Sequence, residues 1–147
     1  MEGKGNDGKG DTPERDLWRT KQELFDSLDK QYNFTFDCCA NLKNRKTPQY
    51  SSEFHKLDDL SQYICWMNPP FKQVGKWVKK AYNESQKGAT VVCLVASRTN
   101  TNWWHDYCMK GEVRFIKGRP KFKGNKYGLP QPLAIVIFRC NTTKTKV

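Results

Sequence analysis

The chain has 147 residues, of which 37% are hydrophobic and 13% aromatic, enough for one domain with a core of its own. No apolar run approaches the roughly 20 residues of a membrane span, and the mean hydropathy is −0.85. The first residues lack the apolar stretch of a secretory signal. These features argue against a disordered or membrane-spanning chain and predict a soluble intracellular domain, cytoplasmic or nuclear depending on the host.

The formal net charge of +11 is concentrated in the second half of the chain. Residues 1–68 contain 10 basic and 12 acidic side chains, whereas residues 69–147 contain 16 basic and 3 acidic ones. Such a basic half favours a polyanionic partner, because each neutralised phosphate releases condensed counterions. The charge therefore predicts nucleic-acid binding, against the simpler interpretation that the lysines only solvate a surface.

Six cysteines and two histidines are the candidate metal ligands, and their spacing does not favour a metal site. The cysteines form no CxxC pair, and the histidines stand at no ligand spacing from them. A chain without a secretory route keeps its thiols reduced. We therefore expect free cysteines and no metal.

The first half of the chain predicts an arm, one helix and one short strand. Residues 1–15 contain four glycines and alternating charges, which indicates a flexible arm. Thr20 and Glu23 have the spacing of a capping box, which predicts a helix to about Lys30. Residues 34–37 are typical of a short strand, and residues 41–60 are polar and irregular.

The second half alternates between apolar runs and one clear helical pattern. Residues 63–67 and 89–95 are predicted buried strands, and apolar residues from Val74 to Tyr82 recur at helical spacing. The other side of that helix carries lysines, which suit either a solvated face or a DNA contact: Lys72, Lys76, Lys79 and Lys80.

Residues 101–109 predict a further short helix, and residues 112–117 and 133–138 the last two strands. This alternation indicates an α/β fold with a largely parallel sheet. The domain is expected to span residues 16–140 and to be followed by a basic tail at 141–147.

The tetrapeptide Asn68-Pro69-Pro70-Phe71 follows a predicted strand, where ligands bind in such sheets. Its prolines fix φ and have no N–H, so the Asn68 side chain and the Pro69 carbonyl are held as acceptors. Two such acceptors can bind both hydrogens of a planar amine and favour a pyramidal nitrogen, while Phe71 stacks on the ring. A Pro-Pro turn that ends a strand, with Phe71 in the core, is the plainer alternative.

Further motifs surround this tetrapeptide in a fixed order. The first are Trp18-x-Thr20 with Leu24-Phe25, Phe34-Thr35-x-Asp37-x-x-Ala40, the residues Asn44, Lys46, Pro48 and Tyr50, and Asp58-x-Leu60. They are followed by Trp66-x-Asn68-Pro69-Pro70-Phe71, Trp77-Val78 with Ala81, Arg98-Thr99-x-Thr101-x-Trp103-Trp104 and Phe115-Ile116-x-Gly118-Arg119-x-x-Phe122. Together, from Leu17 to Phe138, they resemble the phage-type (Dam-like) DNA N6-adenine methyltransferases. Departures are Lys21 where the family usually has Pro, Phe71 where Tyr is commoner, and a step of only 31 positions from Asp37 to Asn68.

The resemblance implies a compact Rossmann-like fold and methyl transfer from S-adenosylmethionine to the N6 amine of adenine. It implies a catalytic role for Asn68, Pro69, Pro70 and Phe71. It implies cofactor binding by Trp18, Thr20, Asp37, Cys38, Ala40 and Asp58, with Thr20 and Asp37 at the methionine end. Asp37 also suits the α-amino group of the cofactor on chemical grounds, with a turn cap as the alternative. Glu53 and Asp58 are both candidates for the ribose-binding acid.

A target base must be flipped out of a duplex or be single-stranded already to reach Asn68. The basic half supplies candidate contacts to the nucleic acid: Arg98, Trp103, Trp104, Arg119, Lys121 and Lys123. One member of an adjacent Trp pair is more often a core residue. Preference for duplex or single strand stays open, as does help from a partner chain.

Two alternatives remain from the sequence. One is an amino-group methyltransferase of the same fold acting on RNA, another base or a protein amide. The other is a basic nucleic-acid-binding module without catalysis, which would bind DNA but not S-adenosylmethionine.

Overall fold

A computed structural model describes residues 21–53, 56–118 and 132–140. It contains α1 (Lys21–Tyr32), β1 (Phe36–Asp37), β2 (Ile64–Met67), α2 (Val74–Gln86), β3 (Thr90–Ala96), α3 (Asn102–Asp106), β4 (Glu112–Phe115) and β5 (Leu133–Phe138). Short 3-10 turns cover Phe71–Gln73 and Cys108–Lys110. The predicted arm and basic tail, together with Trp18, Thr20, Arg119, Lys121 and Lys123, lie outside the described residues. No helix in the described ranges is long and apolar enough to cross a membrane.

The five strands form one mixed sheet in the order β1-β2-β3-β5-β4. The β1–β2 and β2–β3 pairs are parallel, whereas β5 runs antiparallel to both β3 and β4. The α/β class is therefore confirmed, but parallel pairing is confined to the first three strands. Parallel neighbouring strands must be joined by a crossover connection, usually a helix. In this chain α2 lies between the parallel strands β2 and β3, and all of the predicted helices precede β4.

Both faces of the sheet are covered, which explains the unbroken apolar run of β3. Residues of α2, together with Trp104 of α3, pack on one face against Cys65, Val91 and Val136. Leu24, Phe25 and Leu28 of α1 pack on the other face, against Trp66, Val92 and Ile135 among others. Alternate residues of each strand thus enter two separate apolar cores.

The helix boundaries agree with the sequence patterns to within a few residues. α1 continues two residues beyond the predicted Lys30 and ends at Asn33, whose φ of 58° is left-handed. The predicted apolar stripe of α2 is buried, and Gly88, with a φ of 123°, follows its end.

The parallel order brings three strand ends to one edge of the sheet. β1, β2 and β3 end at Asp37, Met67 and Ala96, so the residues that follow them share what we call the carboxyl edge. The amino edge, on the opposite side, contains the start of β3, the end of β5 and the start of β4. Any chemistry that combines the predicted motifs belongs to the carboxyl edge.

Candidate active site

The Asn68–Phe71 segment leads from β2 into α2 at the carboxyl edge. Pro70 has φ −66° and ψ 145°, so the extended backbone predicted for this segment is confirmed at this residue. Pro69 is buried, Asn68 is half-buried and Pro70 is exposed. The Asn68 side chain is therefore held between the core and solvent. The Phe71 side chain, to which the stacking role was assigned, lies outside what the structure describes.

Asp37 is a buried carboxylate at the end of β1, only 3% exposed. Its Oδ2 accepts the backbone N–H of Lys46 at 2.8 Å, and its Oδ1 accepts that of Cys39 at 3.3 Å. Burial raises the pKa of Asp37, although the two N–H donors and the Lys46 charge act in the opposite direction. The carboxylate thus caps the turn that follows β1, and two accepted bonds leave a carboxylate with further acceptor capacity.

A cleft of about 200 Å³ lies beside these two segments. Its lining combines the turn after β1, the following irregular segment, the proline motif and α2, through Cys39, Ala40, Asn41, Asn44, Ser52, Pro70 and Trp77. Residues 49–51 run alongside β1: Asp37 donates its N–H to the Gln49 carbonyl at 3.0 Å, and Ser51 donates to the Asp37 carbonyl at 2.9 Å. The cleft is smaller than the roughly 300–1,000 Å³ of most ligand sites.

The cysteines near this cleft are protonated thiols. Burial and the Asp37 charge raise the pKa of Cys39, against a hydrogen bond from the Asn68 backbone N–H. Burial also raises the pKa of Cys38 and Cys93. Since the thiolate is the reactive form, none of these three is an activated nucleophile. In the described ranges, no group of three or more His, Cys, Asp and Glu could hold a metal ion.

Among the residues predicted to contact the cofactor, Cys38 and Ala40 are buried, whereas Asp58 lies toward the amino edge. Cys38 and Ala40 are 0% and 4% exposed; Cys38 belongs to the core, whereas Ala40 also lines the cleft. The Asp58 carbonyl accepts a hydrogen bond from Lys87, beyond the end of α2, at 3.2 Å. Asp58 therefore lies toward the amino edge, a position that disfavours the predicted cofactor contact without testing it. The number of residues between Asp37 and Asp58 did not predict this position, because the chain between them is irregular.

Glu53 has the more suitable position of the two candidate ribose-binding acids. It is exposed, pairs with Lys56 at 3.5 Å, and follows the residues that run beside β1. Its backbone N–H donates to the Ser51 hydroxyl at 2.9 Å. The acid therefore stands close in the chain to Ser52, which lines the cleft.

The nucleic-acid candidates divide into exposed and buried residues. Arg98 is exposed and follows β3 at the carboxyl edge. Trp103 is half-buried beside Gly75 of α2, where an added Cβ would lie 3.3 Å from its side chain. Trp104 is 2% exposed and packs in the core, so it is not accessible to a base in this conformation. Lys80, from the lysine face of α2, pairs with Glu84 at 3.0 Å.

Sequence reasoning assigned no role to several residues of the site. Asn41, Asn44 and Ser52 line the cleft, and Lys46 donates to Asp37 through its backbone. Asn44 and Lys46 are among the residues that carry the family resemblance, but the polar sequence around them has no period, and no role could be assigned to them from it. A backbone donor such as that of Lys46 leaves no signal in the residue type.

The larger of these two cavities does not lie at the edge that carries the predicted site residues. A larger cavity of about 590 Å³ lies at the amino edge, between the end of α2 and the start of β4. Its lining includes Glu112 and Arg139, which pair with each other at 2.8 Å. It contains none of the predicted site residues, whereas the smaller cleft is lined by Ala40 and Pro70.

Comparisons with known proteins agree with the motifs at the carboxyl edge. The model of the family described as "DNA N-6-adenine-methyltransferase (Dam)" matches residues 8–137. The DNA N-6-adenine-methyltransferase of Haemophilus phage HP1 (strain HP1c1) is 29% identical over 132 residues, covering 85% of this chain and 75% of the relative. That of Escherichia phage T1 is 27% identical over 130 residues, covering 83% of this chain and 54% of the relative. The chain belongs to the DNA N-6-adenine-methyltransferase (Dam) family.

Proposed function

We propose that this chain transfers a methyl group from S-adenosylmethionine directly to the N6 amine of adenine in DNA. The observation that carries the proposal is the common edge of Asp37, the last residue of β1, and Asn68, which directly follows the parallel strand β2. Family membership names the target amine, and the edge supplies the groups that such a transfer needs. The donor supplies a methyl group activated by a positively charged sulfur.

Asn68 and Pro69 act on the target amine. The side-chain oxygen of Asn68 and the carbonyl of Pro69 accept the two N–H groups, which draws the nitrogen lone pair out of the ring system. The extended Pro70 backbone keeps these acceptors in place before the base arrives. Because positioning and electrostatics lower the barrier, the site needs no thiolate and no strong general base.

Asp37 suits the methionine end of the donor. Its buried carboxylate has acceptor capacity beyond the two backbone bonds, and an ammonium group is a strong partner for it. Trp18 and Thr20, in the sequence that precedes α1, are proposed to complete this end, with Cys38 and Ala40 contributing backbone. Glu53 is proposed as the acid for the ribose.

DNA is the proposed acceptor because the second half of the chain is basic and one of its cations is exposed at the edge of the site. Arg98 is exposed at the carboxyl edge, and residues 69–147 contain 16 basic side chains against 3 acidic ones. Phosphate contacts of this kind fix the register of DNA without reading its sequence. Arg119, Lys121, Lys123 and Trp103 remain proposed contacts.

The test is a transfer assay with a mapped product. The purified chain is incubated with labelled S-adenosylmethionine and, in separate reactions, unmethylated duplex DNA, single-stranded DNA and RNA. The nucleic acids are then digested to nucleosides, which are separated and identified by mass spectrometry, with Asn68→Ala as the control. N6-methyladenine from DNA, absent with the variant, is expected. Methyl groups found only on RNA or on another base would change the assigned substrate. Salt-sensitive DNA binding without any methylated product would favour a nucleic-acid-binding module without catalysis.

A further inference from the structure

A turn at residues 41–46 presents an exposed leucine next to the cleft. Leu42 is 68% exposed, the highest value among the large apolar residues that the structure describes as exposed. A single exposed apolar side chain needs no explanation on its own. The rigidity, charge and position of the turn are what distinguish Leu42.

The turn is held by reciprocal asparagine contacts. Oδ1 of Asn41 accepts the backbone N–H groups of Lys43 at 2.9 Å and Asn44 at 3.0 Å. Oδ1 of Asn44 accepts the N–H of Asn41 at 2.8 Å. Arg45 donates to the Asn41 carbonyl at 3.0 Å, and Lys46 to the Asp37 carboxylate at 2.8 Å. Leu42 is therefore presented by a fixed backbone that is fastened to the end of β1.

The segment that contains Leu42 has only basic charges between Asp37 and Glu53. Residues 38–52 contain three basic side chains, Lys43, Arg45 and Lys46, and no acidic one. Lys43 is exposed and forms no ion pair with any residue in the described ranges. The Arg45 guanidinium lies 5.5 Å from the centre of the Tyr50 ring and donates to the Pro48 carbonyl at 3.1 Å. An exposed apolar side chain in a basic turn complements stacked bases beside a phosphate backbone.

The position of the turn connects it to the proposed chemistry. Asn41 and Asn44 line the same cleft as Pro70, so the turn and the proline motif stand on two sides of one opening. When a base leaves a duplex, its place in the stack must be filled or the neighbouring bases must be held apart. Proteins insert apolar side chains between base steps for this purpose. Leu42 stands one residue from the cleft wall.

We propose that Leu42 is the wedge that opens the DNA duplex when the target adenine enters the site, with Lys43 and Arg45 on the adjacent phosphates. The inference rests on the proposed function. Leu42 is a positioning residue, since it acts on the neighbours of the target base and not on the reacting amine. A single strand has no pair to open, so the wedge matters only for duplex DNA.

The experiment compares duplex and heat-denatured unmethylated plasmid DNA as substrates of the same chain. Leu42→Ala is expected to reduce methylation of the duplex about tenfold and to leave that of the denatured strand within twofold. Leu42→Met, which keeps an apolar side chain of similar length, is expected to restore the duplex rate. Met109→Ala is the matched control, because Met109 is 60% exposed and lines the amino-edge cavity. Thermal unfolding of each variant shows that the fold is unchanged.

Four outcomes separate the two proposals. Loss on the duplex alone, with rescue by Leu42→Met, supports the wedge. Equal rates for Leu42→Ala and the wild type, or equal losses on both substrates, overturn it while methylation of DNA stands. Wild-type activity on single strands alone also overturns it. A wild type that methylates no DNA refutes the proposed function first, and the wedge with it.

Discussion

The two edges of the sheet use their charged residues differently. At the amino edge, Glu84 of α2 pairs with Lys80 at 3.0 Å and Lys87 at 3.1 Å. Glu112 there pairs with two arginines, Arg114 and Arg139, both at 2.8 Å. At the carboxyl edge, the buried Asp37 accepts only backbone N–H groups from the described residues, and Arg98 forms no ion pair there.

This difference distinguishes charges that hold the fold from charges that remain available. Glu84 is 1% exposed and also accepts the backbone N–H of Leu60 at 2.9 Å, so it fastens the chain before β2 to α2. Such a network is satisfied by the protein itself and has nothing to offer a ligand. The carboxyl edge has a buried carboxylate, open acceptors and unpaired cations, which is the composition of a site for a cationic donor and a polyanion.

The largest effect should come from Asn68→Ala. Loss of the amide oxygen removes one of two acceptors for the amine, and removing one such group typically reduces the rate about 10²–10³-fold. Steady-state methyl transfer and calorimetric titration with S-adenosylmethionine measure the two relevant quantities. The transfer rate is expected to fall while cofactor affinity stays near that of the wild type.

Asn83→Ala is the matched control for Asn68→Ala, since Asn83 is exposed on α2 and outside the cleft. It should keep full activity. Full activity of Asn68→Ala would remove Asn68 from the chemistry and leave the proline motif as a strand-ending turn. Equal losses in both variants would show that the assay reports folding and not the site.

Glu84→Gln should mainly affect stability. Burial raises the pKa of Glu84, yet the Leu60 N–H and the two lysines together hold it below its ordinary value of 4.5. The folded state therefore binds the proton more weakly than the unfolded state, and the contribution is complete above pH 4.5 and lost as pH falls through the lowered pKa. Loss of this charge should cost about 2 kcal/mol near neutral pH, measured by urea unfolding.

Urea unfolding at several pH values tests whether the charge of Glu84 causes this difference in stability. The difference between wild type and Glu84→Gln should shrink as the pH decreases below 4.5. Glu112→Gln, which removes a pair of half-exposed groups, should change the free energy of unfolding by less than about 1 kcal/mol. A pH-independent difference for Glu84→Gln would show that its charge does not act through this network.

Much of the fold could be predicted because periodic apolar patterns dominate it. The stripe from Val74 to Tyr82 predicted α2, and the apolar run ending at Val95 predicted β3. Glu84, seven residues after Trp77, continues the same stripe and is buried, although the sequence analysis did not predict this for a charged residue type. The antiparallel insertion of β5 left no such signal, because a buried strand has the same pattern in either direction.

The site was predictable where covalent geometry or strand order decides it. Pro70 fixed the extended backbone, and the order of strands placed Asp37 near Asn68. The position of Asp58 was not predictable, since it depends on Lys87 reaching its carbonyl across an irregular stretch. Trp104 was ambiguous for a similar reason, because either member of an adjacent pair can face the core.

Asp37→Asn should have a smaller effect than Glu84→Gln, and on a different quantity. The amide keeps an acceptor for one backbone N–H but loses the negative charge proposed to bind an ammonium group. We expect the dissociation constant for S-adenosylmethionine to rise about tenfold, or about 1.4 kcal/mol, by calorimetric titration. Asp58→Asn is the control: it should leave the affinity unchanged because its backbone is fastened toward the amino edge. Equal affinities for Asp37→Asn and wild type would assign the carboxylate to the turn alone.

The smallest effect compares two arginines, one at each edge. Arg98→Ala should weaken DNA binding at low salt and reduce the slope of log K against log salt by about one, since one phosphate contact is lost. Arg139→Ala should leave the slope unchanged, because that guanidinium already pairs with Glu112 at 2.8 Å. Fluorescence titration of labelled duplex at several salt concentrations measures both slopes. If Arg139→Ala reduced the slope and Arg98→Ala did not, the DNA would bind at the amino edge. The ion pair between Arg139 and Glu112 would then not prevent Arg139 from binding a phosphate.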